Sequence, residues 1–458
     1  MWFAAEDNDH SRVSPTEGRT RGTQPLNLSG SDTNEEPGQH GQRILHKMRL
    51  PSVVSFSLLW ALLLCGVCHA ADLALVGAKI YPSPTEPPIE NGSIVLRDGR
   101  IFAVGSSASI KIPREAKVIN CKGLVVTAGF WNSHAHILTP GLLHAEKLSP
   151  EQIDSQLREM LTAWGFTTVF DIASVLENTN LIRRRINTGE VKGPRIFTVG
   201  EPFWVKTPVY VKSFLAANQI SIPEAESATQ ARRRVHQQII AGADGIKIFA
   251  NSVEQDGILT MPLDLARAIV EESHRSRRPV FAHVSNNGGI EVAIQSGADI
   301  LAHTTPMAQP WTLPLVTRMI AAHIALTPTL TLWDFESKKF NASPAEVEKG
   351  MEKAAGQLKT FFDAGGQVLF GTDVGYTDHF DTAEEFVWMS RAGMSFEQIL
   401  ASLTTNPADR FGYSQHSGRI AKGMDADLVV LRDDPQHDVT AFSRVRYTIR
   451  RGEIICSH

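Results

Sequence analysis

The chain has 458 residues, of which 42% are hydrophobic and 21% charged, and its formal net charge at pH 7 is -4. That length carries one large domain plus a smaller one, or two to three ordinary ones. The composition is that of a globular protein, and the charge balance excludes the basic footprint of a nucleic-acid binder.

Residues 1–47 are polar, rich in Ser, Gly, Asn and Glu, and show no apolar period, so a disordered extension is expected there. Residues 48–70 have the layout of a secretory signal peptide. Lys47 and Arg49 supply positive charge, Val53–Val67 is a short apolar run, and Cys68-His69-Ala70-Ala71 offers small residues for cleavage. The alternative is an uncleaved N-terminal anchor. A signal peptide stands at a chain's start, so translation is expected to begin at Met48, leaving 1–47 unmade. The mature protein is then exported, to a periplasm or the exterior, with no membrane partner. Cys65 and Cys68 leave with the signal; Cys121 and Cys456 remain, and whether they pair is open.

From Leu73 to Val126 the chain reads as short strands with turn punctuation. Asp98-Gly99, between Gly92–Leu96 and Arg100–Val104, is a hairpin signal. The C-terminus has the same texture, with strands at Asp427–Leu431, Val445–Ile449 and Glu453–Ile455 and a turn at Arg451-Gly452. Residues 71–125 and 413–458 are therefore expected to build one small β-sandwich domain from both termini.

Residues 126–412 alternate. Strand candidates are Gly129–Ile137, Thr167–Ile172, Arg195–Val199, Gly245–Ala250, Pro279–Val284, Ala298–His303, Ala325–Leu332 and Val368–Asp373. Helical patterns lie between them, among them Glu151–Trp164, Ala231–Ile240, Leu263–Ser276, Leu313–Ala322 and Ala345–Asp363. Eight such alternations favour an α/β fold of the (β/α)8 TIM-barrel type. A doubly wound open sheet is the alternative, but the first strand is not followed by a Gly-rich phosphate loop.

Catalytic groups of such barrels sit at the C-terminal ends of strands. The first strand candidate ends in His134-Ala-His136, and residues i and i+2 of a strand share a face, so both imidazoles would meet one metal ion. Two unrelated histidines are the plain reading of that pair alone. Lys247 lies among apolar residues of the fourth candidate, where a lysine is costly unless it snorkels or pairs. The fifth, sixth and eighth candidates end in His283, His303 and Asp373. Each alone reads as a satisfied core histidine or a turn-forming aspartate; six ligand-type residues at strand ends together do not.

This set resembles the amidohydrolase superfamily over residues 72–456. The resemblance extends to Leu403-Thr-Thr-Asn-Pro-Ala408 and to the tail Gly418–Leu431. Within the superfamily, Gly242-Ala-Asp-Gly-Ile-Lys-Ile248 is most similar to the imidazolonepropionase-like branch that contains metal-dependent Xaa-Pro dipeptidases. The resemblance implies two divalent metals, usually zinc. His134, His136 and Asp373 would hold one and His283 and His303 the other. Lys247, carboxylated to a carbamate, would bridge them. It implies a metal-bound hydroxide that attacks the carbonyl of an amide or peptide-like C–N bond, with Asp373 as the catalytic acid/base. The substrate would be a dipeptide, an N-acyl amino acid or a cyclic amide. A homo-oligomer is compatible with it.

The chain departs from the prolidase pattern at Phe249-Ala-Asn-Ser252 and at Thr304-Thr305-Pro306. In Pro202–Tyr210, Lys206 and Tyr210 offer a basic and an aromatic group for a substrate's carboxylate and side chain, although a plain packed loop fits equally. Mononuclear imidazolonepropionases and deaminases carry a glutamate three residues after the strand-5 histidine; here that position is Asn286, which shuttles no proton. A metal-free binding protein is the reading from another class, but relatives of that kind lose ligands.

Overall fold

The structure, a computed structural model, describes residues 72–339 and 341–458. The expected extension (1–47) and signal peptide (48–70) lie outside the described residues.

Five strands open the described chain: β1 (Leu73–Ile80), β2 (Ile89–Arg97), β3 (Arg100–Ser106), β4 (Lys117–Asn120) and β5 (Val125–Ala128). Nine follow in the middle: β6 (Phe130–Ala135), β7 (Phe166–Asp171), β8 (Arg195–Thr198), β9 (Ile246–Phe249), β10 (Asn251–Glu254), β11 (Gly257–Thr260), β12 (Val280–His283), β13 (Ile300–Ala302) and β14 (Ala325–Thr327). The last three are β15 (Leu428–Leu431), β16 (Val445–Arg450) and β17 (Glu453–Ser457).

Strands from both ends share one sheet. Its order is β17-β16-β15-β5-β1-β2-β3, with β4 also paired to β1. The N- and C-terminal stretches meet where β15 runs antiparallel to β5, Leu428 opposite Ala128. The sheet buries Leu75, Ile80, Ile94, Val126, Leu428, Val430 and Ile449 in a core of their own. Its two hairpin turns place Asp98 and Gly99, and again Arg451 and Gly452, at positive φ. Paired left-handed residues form the tight turn that matches strand twist, and the second residue is glycine both times. The expected sandwich of two sheets is thus one hydrogen-bonded sheet among the described residues.

The middle of the chain is TIM-barrel-like. β6, β7 and β8 form one parallel sheet, and β9, β12, β13 and β14 another. Single parallel bridges join Phe203 to Ile248, Leu326 to Val368 and Ala135 to Val374. Phe170, Val199, Phe281, Ile300, Ala325 and Leu369 pack into one buried cluster among these strands. In β12, Phe281 and His283 share a face at the two-residue period, so the same alternation fills the core below and supplies the site above. Three helices, Pro150–Met160, Pro344–Asp363 and Phe396–Leu403, begin with a capping box, which fixes where they start.

Two expectations need correction. Residues 368–373 are not a regular strand: the Phe370 N–H donates to Ser402 O instead of to a neighbouring strand. The seventh strand stops at Thr327 rather than running to Leu332. Pro328 breaks it, Thr329 turns left-handed at φ 43°, and Thr331 opens the helix Thr331–Lys339. One hairpin went unforeseen, β10–β11, directly after β9.

Candidate active site

His134 and His136 leave the end of β6 side by side. Their Nε2 atoms lie 3.1 and 2.8 Å from Asp373 Oδ1. His303 Nδ1 is 3.7 Å from the other carboxylate oxygen. The His283 ring lies 5.2 Å from that of His303, centre to centre. Lys247, 2% exposed, sits on β9 in register with Phe281 of β12. Four of the six residues are at or just past the C-terminal ends of their strands, Asp373 closes the irregular stretch 368–373, and Lys247 is mid-strand on β9. Gly371 permits the approach: a Cβ there would come within 2.7 Å of His134 Cβ.

The imidazoles are each held by one nitrogen, and Nε2 of His134 and of His136 is turned towards Asp373 Oδ1. His136 Nδ1 meets the Ala173 carbonyl at 2.9 Å, and His303 Nδ1 meets Thr329 Oγ1 at 2.8 Å. His283 Nε2 faces Ser285 Oγ at 3.3 Å. Outer partners of this kind fix ring and tautomer in metal sites. His134 Nε2 and Asp373 Oδ1 are fully buried and lack a hydrogen-bond partner of good geometry. Unsatisfied buried polar atoms are costly, and here they converge. Ligand atoms of His134, His303 and Asp373 all lie within 4.8 Å of one another. A set of nitrogen and carboxylate donors with free lone pairs in one place fits a divalent transition metal.

The electrostatics agree. Burial lowers the His134 imidazole to about 4 and that of His283 to about 3, and pushes His303 well below its ordinary value. Burial pushes the Asp373 carboxyl up, but the surrounding imidazoles pull it down further, and it ends well below the usual carboxylate range. Burial also lowers the Lys247 ammonium to about 7, against the pull of Asp373. Burial therefore keeps the His134, His283 and His303 imidazoles neutral beside an ionised carboxylate and a lysine ready to lose its proton. His303 and Asp373 both sit at positive φ, 83° and 60°. Backbone strain at non-glycine residues gathers at functional sites.

Lys206 and Tyr210 part ways. Tyr210, 38% exposed, stands near the imidazoles, its ring 6.5 Å from His283 and 6.1 Å from Tyr376. Lys206 faces Glu254 at 3.9 Å and is half exposed. Asn286 caps the helix Asn287–Ser296, its side chain accepting from Gly289 N at 3.1 Å and from Asn251 Nδ2 at 2.5 Å. Cys121 and Cys456 are buried and unpaired.

Sequence reasoning missed Asp171, fully buried at the end of β7. It accepts from Ser174 Oγ, from Thr198 Oγ1 at 2.6 Å and from Ile137 N at 3.0 Å, tying the first three strands together next to His136. A carboxylate closing an apolar strand was the available signal, the same one that drew attention to Lys247. Trp333, whose indole N–H donates to Thr304 Oγ1 at 2.8 Å, was also missed.

Residues 125–455 match the Amidohydrolase family, and the chain belongs to it. It is a hydrolase of carbon–nitrogen bonds of the amide or peptide-like kind, in a family that generally binds divalent metals. Ochratoxinase from Aspergillus niger is 24% identical over 439 residues, covering 86% of this chain and 88% of that protein. Its crystal structure superposes with a TM-score of 0.69 at 20% identity, over 85% of this chain and 96% of that one. A Xaa-Pro dipeptidase crystallised with methionine in its active site superposes with a TM-score of 0.71 at 20% identity, over 85% and 100%. These likenesses support the TIM-barrel-like fold. No helix among the described residues is long and apolar enough to cross a membrane.

Proposed function

We propose that the protein is a binuclear metal-dependent amidohydrolase that cleaves a small dipeptide, N-acyl amino acid or cyclic amide. The observation that carries this reading is the convergence of imidazole nitrogens on a buried, ionised Asp373. His134, His136 and Asp373 would hold one ion, and His283 and His303 the second. Lys247 would bridge them as a carbamate. Its lowered ammonium pKa supports this, because a neutral amine at neutral pH adds CO2, gaining a carboxylate and releasing a proton. Bound ions would supply Lewis acidity, making a water acidic and polarising the substrate carbonyl.

The chain's own groups do the rest. Asp373 takes the proton of the attacking water and returns it to the leaving nitrogen, so the amide and water become acid and amine. Tyr210 and Tyr376 would line the mouth against the substrate's side chain. Ochratoxinase and the Xaa-Pro dipeptidase, by their names, suggest substrates in which an acyl group is joined to an amino acid. A mononuclear centre of the deaminase type is disfavoured by Asn286, whose amide is engaged in capping.

The test is metal analysis with a substrate screen. Purified protein should carry about two transition-metal ions per chain and should cleave members of a panel of N-acyl amino acids, Xaa-Pro dipeptides and lactams. A stoichiometry near one, unchanged by Lys247→Ala, sinks the binuclear reading. Residues 71–125 with 413–458 are proposed as the small β domain and 126–412 as the hydrolase unit. Export is proposed from Arg49, the Val53–Val67 run and Ala70. Mature protein should begin within a residue or two of Ala71; recovery of residues 1–47 on active cytoplasmic protein refutes this.

A further inference from the structure

Glu385 is a buried carboxylate that makes no ion pair among the described residues. It lies on the helix Ala383–Arg391 and is 1% exposed. Burial pushes its carboxyl up to about 7. A buried carboxylate is expensive unless its oxygens are occupied. Here they are occupied by one short stretch of backbone. Oε1 accepts from Leu330 N at 2.8 Å, and Oε2 accepts from Thr331 N at 2.8 Å and Thr331 Oγ1 at 2.9 Å.

Those donors open the helix Thr331–Lys339, so Glu385 satisfies a helix start from a distant part of the chain. The residue before them is Thr329, held at φ 43°. A β-branched residue does not rest there without an external constraint. The Thr329 hydroxyl in turn meets His303 Nδ1 at 2.8 Å. The chain of contacts therefore runs from Glu385 to the 330–331 amides, to the strained Thr329, to His303. With Nδ1 fixed in this way, Nε2 of His303 is the nitrogen left for a ligand.

We infer that Glu385 is a positioning residue of the metal centre: it clamps the Thr329–Thr331 turn and so orients His303. The inference rests on the metal-centre reading above and goes beyond it. A helix cap that serves the fold alone is the competing account.

Cobalt titration of metal-depleted protein separates the two. Wild type, Glu385→Gln, Thr329→Val and the double variant are compared for Co²⁺ affinity, visible absorption and thermal midpoint. Glu385→Gln keeps the volume but turns an acceptor towards donors. One of the Co²⁺ ions should bind about 10–100-fold more weakly, the usual cost of losing an outer-shell partner. Thr329→Val should do the same, and the double variant should be no worse than either single variant, because both break one chain of contacts. Glu385→Gln that melts earlier yet binds Co²⁺ as wild type does overturns the inference, and so do losses that multiply in the double variant. If Glu385→Gln does not fold, Thr331→Val removes only one of the three donors. Its affinity should fall severalfold, and an unchanged affinity is again fatal. A wild type that takes up no cobalt brings down the metal centre and this inference together. A wild type that binds while Glu385→Gln binds equally brings down only the inference.

Discussion

Two ionic clusters, one part-exposed and one buried, occupy opposite ends of the strands, and they are built on different principles. At the starts of β8 and β15, Arg195 reaches Asp425 at 2.8 Å and Asp427 at 3.5 Å, and Arg100 reaches Asp425 at 2.9 Å. Cations and anions there are matched in charge, although Arg195 Nη1 and Asp427 Oδ2 lack a well-aligned hydrogen bond, and the cluster joins the terminal sheet to the central strands. At the strand ends, four imidazoles and one lysine surround a single carboxylate. Nothing among those side chains balances the spare lone pairs. A matched cluster acts as an adhesive, whereas an unmatched, strained one marks a place built to receive something.

The sharpest way to break that contrast is Asp373→Asn. The amide keeps the shape and one ligating oxygen but loses the basic carboxylate. Metal should largely stay while kcat falls by about 10²–10⁴, the usual worth of an acid–base group. Lys247→Ala should lose metal together with rate. Near-normal turnover of Asp373→Asn with full metal would remove Asp373 from the proton path.

At the matched end, Arg195→Ala should do the reverse. Removing one partner of a buried ion pair typically costs about 3 kcal/mol or more. Urea unfolding should show that loss, while metal content and kcat stay put. A variant of unchanged stability but reduced turnover would mean that the far cluster is coupled to chemistry.

The metal-free protein offers a third comparison, through pH. Folded His134 and His283 stay neutral down to about 4 and about 3, whereas unfolded imidazoles take up a proton near 6.5. Below pH 6.5 the unfolded state therefore binds more protons, and stability falls as pH drops from 6.5 towards 4. The loss should be on the order of a few kcal/mol, seen as a falling thermal midpoint. A flat midpoint across that range would show that these imidazoles are not held neutral.

Why some of this was legible in the sequence follows from range. Hairpin turns, helix caps and the period of β12 are local, and Asp98-Gly99 or Ser343 with Glu346 carry their own signals. The ligand-type residues stood out because polar groups closed apolar strands. The seventh strand misled because Leu330-Thr-Leu reads as an extension of it. The stretch turns after Pro328, and the amides that open its helix are taken by Glu385, more than fifty residues away. The eighth strand looked regular for the same kind of reason: Ser402, not a neighbouring strand, takes the Phe370 amide. Asp171 knitting three strands likewise depends on partners that no local pattern announces.

The smallest effect is expected from Lys206→Ala, and it tests whether a charge near the mouth belongs to either kind of cluster. Lys206 is 54% exposed and lies 3.9 Å from Glu254, at the limit of an ion pair. Water and salt screen such a pair, and exposed pairs contribute about 0–1 kcal/mol. Its charge is already partly neutralised by Glu254, so little of it remains for a substrate's carboxylate. KM for an N-acyl amino acid should therefore rise by less than about fivefold, the equivalent of 1 kcal/mol, with kcat unchanged. Tyr210, closer to the imidazoles, should matter more than Lys206 when replaced by alanine. A rise in KM above tenfold for substrates with a free carboxylate, absent for their amides, would instead assign Lys206 as the group that reads that carboxylate. The Glu254 contact would then be its resting partner, exchanged for the substrate on binding.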